Sequence, residues 1–454
     1  MQTNDNIETI VGNPRKAINT LAFPTIFSML LMFLNNLIDS FWVSGINADA
    51  LAALGFIFPL YLVIIGLGSG VSAGANSLIS RYVGSKRFDG ANNAVVHSLI
   101  LMGIVSLIVL IVGVFFLDDL VVLLGASSVK SYCLSYGFII FLLNIVFLAP
   151  NVTASIFRAE GDVRRATNPL ILTAILNMVL DPILIFGLDL GIFGAGLATV
   201  IASLIGWLWM IYWILIKKDT FFEFNLKNYR RNLEIYKEIL VVSLPAGTEE
   251  IIFALVAIIL NYLIMKTAGV SEVASFTIAW RFICIAFLPG MAIGIATITV
   301  SGVAYGARNW PNFNETIKYS TLLSLTITLS ICAIFFVFAY PICGLFNFQT
   351  SNPALVERAA EILRLLVFYN CLISFGATAA YTYQGVGAGF KSLGLTVLRE
   401  LVLSMALAYV VGITLSMGVF GVYLGAIIGM NIGSIFGFAC ILIFNLKFKR
   451  QCGY

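Results

Sequence analysis

Two amide–acid pairs are the groups in this sequence most able to do chemistry. Asn35 and Asp39 lie four residues apart inside the apolar run TLAFPTIFSMLLMFLNNLIDSFWVS (residues 20–44). Asn177 and Asp181 repeat that spacing in a second apolar run, with Pro182 following. Residues four apart share one helix face, so each pair turns an amide and a carboxyl to the same side. An ionised carboxylate at the centre of a membrane helix costs about 2.5–3.5 kcal/mol on insertion scales. It persists only with a partner, a water-filled cavity or a bound proton. Tyr136, Asn144 and Asn151 lie near one face of a third run, and Thr199 sits in a fourth. If these faces converge, they enclose a pocket of carboxylate, amide and hydroxyl oxygens. Such a pocket suits a hard cation such as Na⁺, by the logic that governs Ca²⁺ and Mg²⁺. It equally suits a proton held by two acids that titrate as a pair. The plainer alternative is that each Asp bonds a neighbouring helix.

The other ionisable residues within apolar runs are His97, Glu249, Glu250, Arg281, Arg399 and Glu400. Glu249 and Glu250 follow Pro245 and read as the first turns of a helix, where acids favour the N-terminus. Arg399 and Glu400 are adjacent, and adjacent helical residues point in different directions. Partners among Glu249, Glu250 and Arg281 are therefore weighed equally with a coupling role. Glu249, Glu250, Arg281 and Arg399 are the candidates for any site in the second half. His97, the sole histidine, reads as an interfacial structural residue.

The elements that must position these groups are membrane helices. The chain has 454 residues, of which 60% are hydrophobic and 11% charged, and its mean hydropathy is +1.00. A soluble domain carries about 25% charged residues, so a polytopic membrane protein follows. The Lys and Arg residues are scattered through short loops, which argues against nucleic-acid binding. The seven cysteines form no CxxC and read as buried hydrophobes. Twelve runs are long enough to span a bilayer, near 17–44, 51–78, 93–116, 132–157, 166–187, 192–216, 238–265, 273–300, 317–340, 358–385, 392–416 and 421–446. Lys and Arg collect on one side, most densely in the connector KKDTFFEFNLKNYRRNLEIYK, which includes Lys227. By that bias both termini are expected in the cytoplasm.

The connector separates two sets of six spans. Residues 48–84 and 270–306 align without gaps at an offset of 222, with Gly84 and Gly306 in register. LGIFGAGLATVIAS resembles MGVFGVYLGAIIGM, and matching Phe23–Pro24 and Leu244–Pro245 open the two halves. Six spans per copy keep both copies in one orientation, so the repeat is parallel about an axis along the membrane normal. The expected organisation is an N-terminal lobe (1–216), a cytoplasmic connector (217–237) and a C-terminal lobe (238–454).

Several stretches carry a family resemblance: NNLIDSFWVS, ALAALGFIFPL, SRYVGSKR, FRAEGDVRRATNP, LNMVLDPILIFGLDLGIFGAGLATVIA and VAYGAR. The sequence resembles the multidrug and toxic compound extrusion (MATE) family, prokaryotic DinF-like branch, over nearly its whole length. The resemblance implies an all-α fold of two six-helix lobes in a V. It implies efflux of cationic, amphipathic organic compounds in exchange for Na⁺ or H⁺, with no other cofactor. By motif it places the cation site at Asp39, Asn177, Asp181 and Thr199, with Tyr136 and Asn151 beside it. The expected partners are the small organic substrates and the bilayer, with the protein a monomer in the cell membrane. The nearest rival is an exporter or flippase of lipid-linked or polysaccharide precursors. Such anionic cargo calls for many cavity Arg and Lys, and only Arg281 and Arg399 are found within the spans. A channel would show a pore ring or filter, and a metalloprotease would need a His/acid cluster that one histidine does not supply.

Overall fold

A chain this apolar must satisfy its backbone hydrogen bonds internally, and helices do so. The computed structural model describes residues 2–222, 229–344 and 353–454; Lys227 and the middle of the connector lie outside them. Ten helices among the described residues are long and apolar enough to cross a membrane, and two bent pairs bring the spans to twelve. A short α1 (Gln2–Gly12) leads into α2 (Pro14–Ser44), α3 (Ala48–Gly84) and α4 (Phe88–Leu123). The bent pair α5 (Lys130–Leu142) and α6 (Ile145–Ala159) follows, then α7 (Val163–Gly187) and α8 (Gly191–Lys217). The second set is α9 (Leu233–Ala268), α10 (Val270–Gly306), α11 (Trp310–Val337), the short α12 (Ala339–Gly344), and the bent pair α13 (Pro353–Asn370) and α14 (Ile373–Gly385). It closes with α15 (Gly389–Thr414) and α16 (Gly418–Gln451).

The repeat reaches down to backbone detail. Helices α3 and α10 both have 37 residues, and their bounds differ by the offset read from sequence. Left-handed Lys86 (φ 57°) and Arg308 (φ 52°) end them at the same offset. Toward the chain ends the register becomes 227: Asp189 and Gly191 match Ser416 and Gly418, all with positive φ. Helices α7 and α15 both finish in a π-helical turn in that register, Ile183–Gly187 and Val410–Thr414.

Two runs read as straight spans are broken. The pair α5/α6 bends by 42° and α13/α14 by 46°. Each break exposes backbone groups that side-chain amides satisfy, as buried polar groups require. Asn144 Nδ2 donates to the Phe141 and Ser106 carbonyls at 2.8 and 3.1 Å. At the second break Asn431 Oδ1 accepts from Leu372 N (3.2 Å) and its Nδ2 donates to the Phe368 carbonyl (2.9 Å). Hydropathy alone does not register a break that keeps both halves apolar. A second difference concerns α9. Its helix starts at Leu233, so Pro245 lies inside it and Glu249 and Glu250 are mid-helix rather than in the first turns.

The described chain forms two compact units. The first comprises residues up to Gly12 and Phe23–Glu250; the second comprises Asn13–Ala22 and Ile251–Tyr454. Helices α2 and α9 therefore each belong to both. In unit 1, α3 meets the start of α9 backbone to backbone: a Cβ on Gly74 would fall 2.2 Å from Ser243 Oγ and 2.5 Å from the Ile239 carbonyl. In unit 2, Gly425 and Gly429 of α16 touch the Leu407 and Leu403 carbonyls of α15, where an added Cβ would sit at 2.3 Å in each case. Small residues permit this close helix approach in a bilayer.

Candidate cation site

The acid pocket is built in unit 1 from α2, α7 and α8. Asn35 Nδ2 on α2 donates to Asn177 Oδ1 on α7 at 2.7 Å. Asn177 Nδ2 then donates to Asp181 Oδ1, one turn along, at 3.1 Å, and lies 3.4 Å from Thr199 Oγ1 on α8. The Thr199 hydroxyl donates to the Ala195 carbonyl (3.0 Å), leaving its lone pairs toward the pocket. The carboxyl of Asp39 stands within hydrogen-bonding reach of the carboxyl of Asp181. Asp181 and Asn177 are buried, with 0% and 1% of their surface exposed.

The chemistry follows from what these groups lack. Asn35 Oδ1, Asp39 Oδ1 and Asp181 Oδ2 are buried oxygens with no donor. A buried acceptor left unmatched costs roughly 1–3 kcal/mol, and two touching carboxylates repel unless a positive charge lies between them. A cluster of bare acceptors around an acid pair has the chemistry to accept a small hard cation or a proton. Tyr61 and Tyr136 are close enough for the charge of Asp39 to act on their hydroxyls, and Tyr61 packs edge-on against Phe147 at 5.7 Å.

The structure thus brings together Asn35, Asp39, Asn177, Asp181 and Thr199, with Tyr136 beside them. Asn144 Nδ2 braces the helix break while its buried Oδ1 has no donor, and Asn151 Nδ2 donates to the Phe147 carbonyl (2.9 Å) in its own helix. Of the second-half candidates, Glu250 lies against Gly66 of α3 and Arg281 is exposed on α10. Arg399 is bonded to its neighbour Glu400, both buried. The pair lies within the π-helical stretch Val397–Met405. Arg399 also passes between Gly376 and Gly433.

The repeat shows what unit 2 omits. In the 227 register Ser404, Ala408 and Ala426 replace Asn177, Asp181 and Thr199, and at offset 222 Asn261 replaces Asp39. The hydroxyl of Ser404 still crosses to the Ala426 carbonyl at 3.0 Å. The crossing contact is kept while the acids are absent. Trp42 was not singled out from sequence, although it follows Asp39 by three residues and shares its face. It packs on Phe186 of the α7 π-turn with ring centroids 6.3 Å apart.

Comparison with known proteins agrees with this architecture. The MatE family model matches residues 24–183 and 245–410. Multidrug export protein MepA of Staphylococcus aureus (strain MRSA252) is 27% identical over 399 residues, covering 86% of this chain and 85% of that protein. An outward-facing multidrug resistance MATE family transporter of the MOP superfamily superposes with a TM-score of 0.95 at 32% identity, covering 98% of this chain and 99% of the other. A MOP superfamily transporter from Pyrococcus furiosus, described as having a binding pocket of reverse polarity, also gives 0.95 at 32% identity, with 98% of each chain covered.

Proposed function

This chain belongs to the MatE family of multi-pass membrane transporters, and from that premise we propose that it is a secondary antiporter that exports cationic amphipathic organic compounds in exchange for Na⁺ or H⁺. The observation that carries the coupling is the set of three donorless buried oxygens on Asn35, Asp39 and Asp181. Export is favoured by the similarity to MepA, a multidrug export protein.

In this reading Asp39 and Asp181 take the cation from the side where it is more concentrated, with Asn177 and Thr199 supplying oxygens. The cation biases the transporter only to the extent that it binds one conformation better than the other. A tenfold gradient supplies about 1.4 kcal/mol, and about 2.3 kcal/mol per charge comes from 100 mV. Between the conformations α2 is the element that bends. Pro24 lacks the amide that would bond one turn back, and it lies beside the Ala22/Phe23 boundary where α2 passes between units.

The test uses inverted membrane vesicles and a fluorescent cationic dye, with Na⁺ and pH gradients imposed separately. Collapse of dye accumulation by one ion alone identifies the coupling ion. Asp39→Asn is expected to insert normally and abolish accumulation; wild-type accumulation by that variant would remove Asp39 from the coupling site. No dye transport by the wild type under either gradient would favour anionic, lipid-linked cargo.

A further inference from the structure

The chain has one histidine, and His97 is fully buried with both ring nitrogens engaged. Its Nδ1 lies 2.8 Å from the Asn93 carbonyl, one turn back on α4. Its Nε2 lies 3.2 Å from the backbone N–H of Asn232. A carbonyl only accepts and an N–H only donates, so the two contacts fix the tautomer: Nδ1 carries the proton and Nε2 is the acceptor. The imidazole sits between two tyrosines, Tyr229 at 4.9 Å and Tyr236 at 4.5 Å between ring centroids, and their hydroxyls meet at 3.2 Å. Beside it Asn93 bonds Arg230 twice: its Nδ2 donates to the Arg230 carbonyl (3.0 Å) and its Oδ1 accepts from the Arg230 amide (3.3 Å).

These contacts hold residues 229–232, the end of the connector, on α4. The held segment also starts α9, since Asn232 Oδ1 accepts from the amide of Glu234 (2.9 Å). The part of α9 that follows is fixed to α3 by the Arg81–Glu238 ion pair (3.2 Å) and by the Gly74–Ser243 approach. All of it lies in unit 1, whereas α9 from Ile251 onward belongs to unit 2.

We propose that His97 is a protonation-operated latch that fixes the end of the connector and the start of α9 to unit 1, and that protonation of its Nε2 releases them. A second ring proton would face the Asn232 N–H head-on, two donors with no acceptor between them. Arg230, whose backbone bonds Asn93 beside the ring, and Arg231, which acts on the adjoining Tyr236, are the cationic residues of the held segment. Tyr229 and Tyr236 are the titratable groups facing the ring. Release frees the stretch of chain that passes from one unit to the other, so local acidity acts on the transporter from outside the acid pocket. The latch uses none of the residues of the cation site and stands independently of it.

Hydrogen exchange of the intact, untagged protein tests the latch. Because His97 is the sole histidine, ¹⁵N-histidine labelling gives a single imidazole whose titration is followed directly. We expect amide protection across residues 229–236, corrected for intrinsic exchange, to fall at least about tenfold between pH 7.5 and 5.5, with the midpoint of the His97 titration. In His97→Gln, which keeps an acceptor but does not titrate, protection is expected to be the same at both pH values. The latch is overturned if His97 titrates without loss of protection, if it does not titrate above pH 5, or if the Gln variant keeps the wild-type pH dependence. If the Gln variant does not fold, coincidence or separation of the two wild-type midpoints decides alone.

Discussion

Asn177 is the hinge of the acid pocket at the scale of single residues. It accepts from Asn35 and donates to Asp181, so it joins α2 to α7 through one side chain. Hydrogen bonds to charged groups contribute about 1.5–3 kcal/mol. Asn177→Ala is therefore expected to weaken coupling-cation affinity by roughly ten- to a hundredfold while leaving the maximal transport rate largely intact, which a cation titration of dye efflux measures. Glu160 gives a second prediction. Burial pushes its carboxyl up to about 8 from an ordinary 4.5, against the Phe222 and Phe221 amides that favour the charged form; nearby Asp162 raises it further and Arg165 opposes. Its Oε1 accepts from Phe222 N at 3.1 Å and so docks the start of the connector. An acid whose folded value is raised holds a proton that the undocked chain gives up. The docking it supports is full below pH 4.5, weakens through the interval and is lost as pH rises past 8. Exchange of residues 219–222 is expected to rise over that range in the wild type and to stay flat in Glu160→Gln. This trend is opposite in sign to that expected at His97.

Among the elements, α2 has the position and the defect for a conformational role. Pro24 lies ten residues into a 31-residue helix, and a proline inside a helix removes one hydrogen bond and crowds the preceding turn. Pro24→Ala restores a donor and removes the ring that crowds the preceding turn. The expected outcome is normal insertion with at least about tenfold slower dye efflux, read in vesicles at saturating gradient; an unchanged rate would shift the bending to another helix. Helix α7 shows a different relation between element and site. Its terminal π-turn follows directly on Asp181 and Pro182 and carries Phe186 onto Trp42. Because α15 ends in the same turn without an acid, the turn belongs to the scaffold of the repeat rather than to the chemistry.

For the whole molecule, the division of α2 and α9 between two units predicts how a cut chain behaves. A protein co-expressed as two fragments, broken between Phe222 and Tyr229, has an N-terminal piece that carries residues 13–22 of unit 2. Its C-terminal piece carries residues 229–250 of unit 1. Arg15 pairs with Glu315, and Tyr319 donates to Asn19 Oδ1 at 2.9 Å. On the other side the close approach of α3 and α9 at Gly74 and Ser243 is kept. The fragments are expected to co-purify in mild detergent and to retain dye transport. Independent elution would mean that these exchanged segments contribute little to holding the pieces together.

The sequence by itself determined the twelve spans, the repeat at offset 222 and the face shared by Asn35 with Asp39 and by Asn177 with Asp181. Apolar run length and four-residue spacing are local properties, and a bilayer forces local hydrogen bonding. The same locality hid the two bends, which keep both halves apolar and are repaired by Asn144 and Asn431. It also hid the pairing of Arg399 with Glu400 within a π-helical stretch. Only the tertiary structure decided which oxygens meet. Asp39 and Asp181 are 142 residues apart in the chain, and their contact depends on how α2 packs against α7. Packing also gave Asn144 Nδ2 a bracing role at the first helix break, and supplied His97, read as a structural residue, with the contact that holds the start of α9.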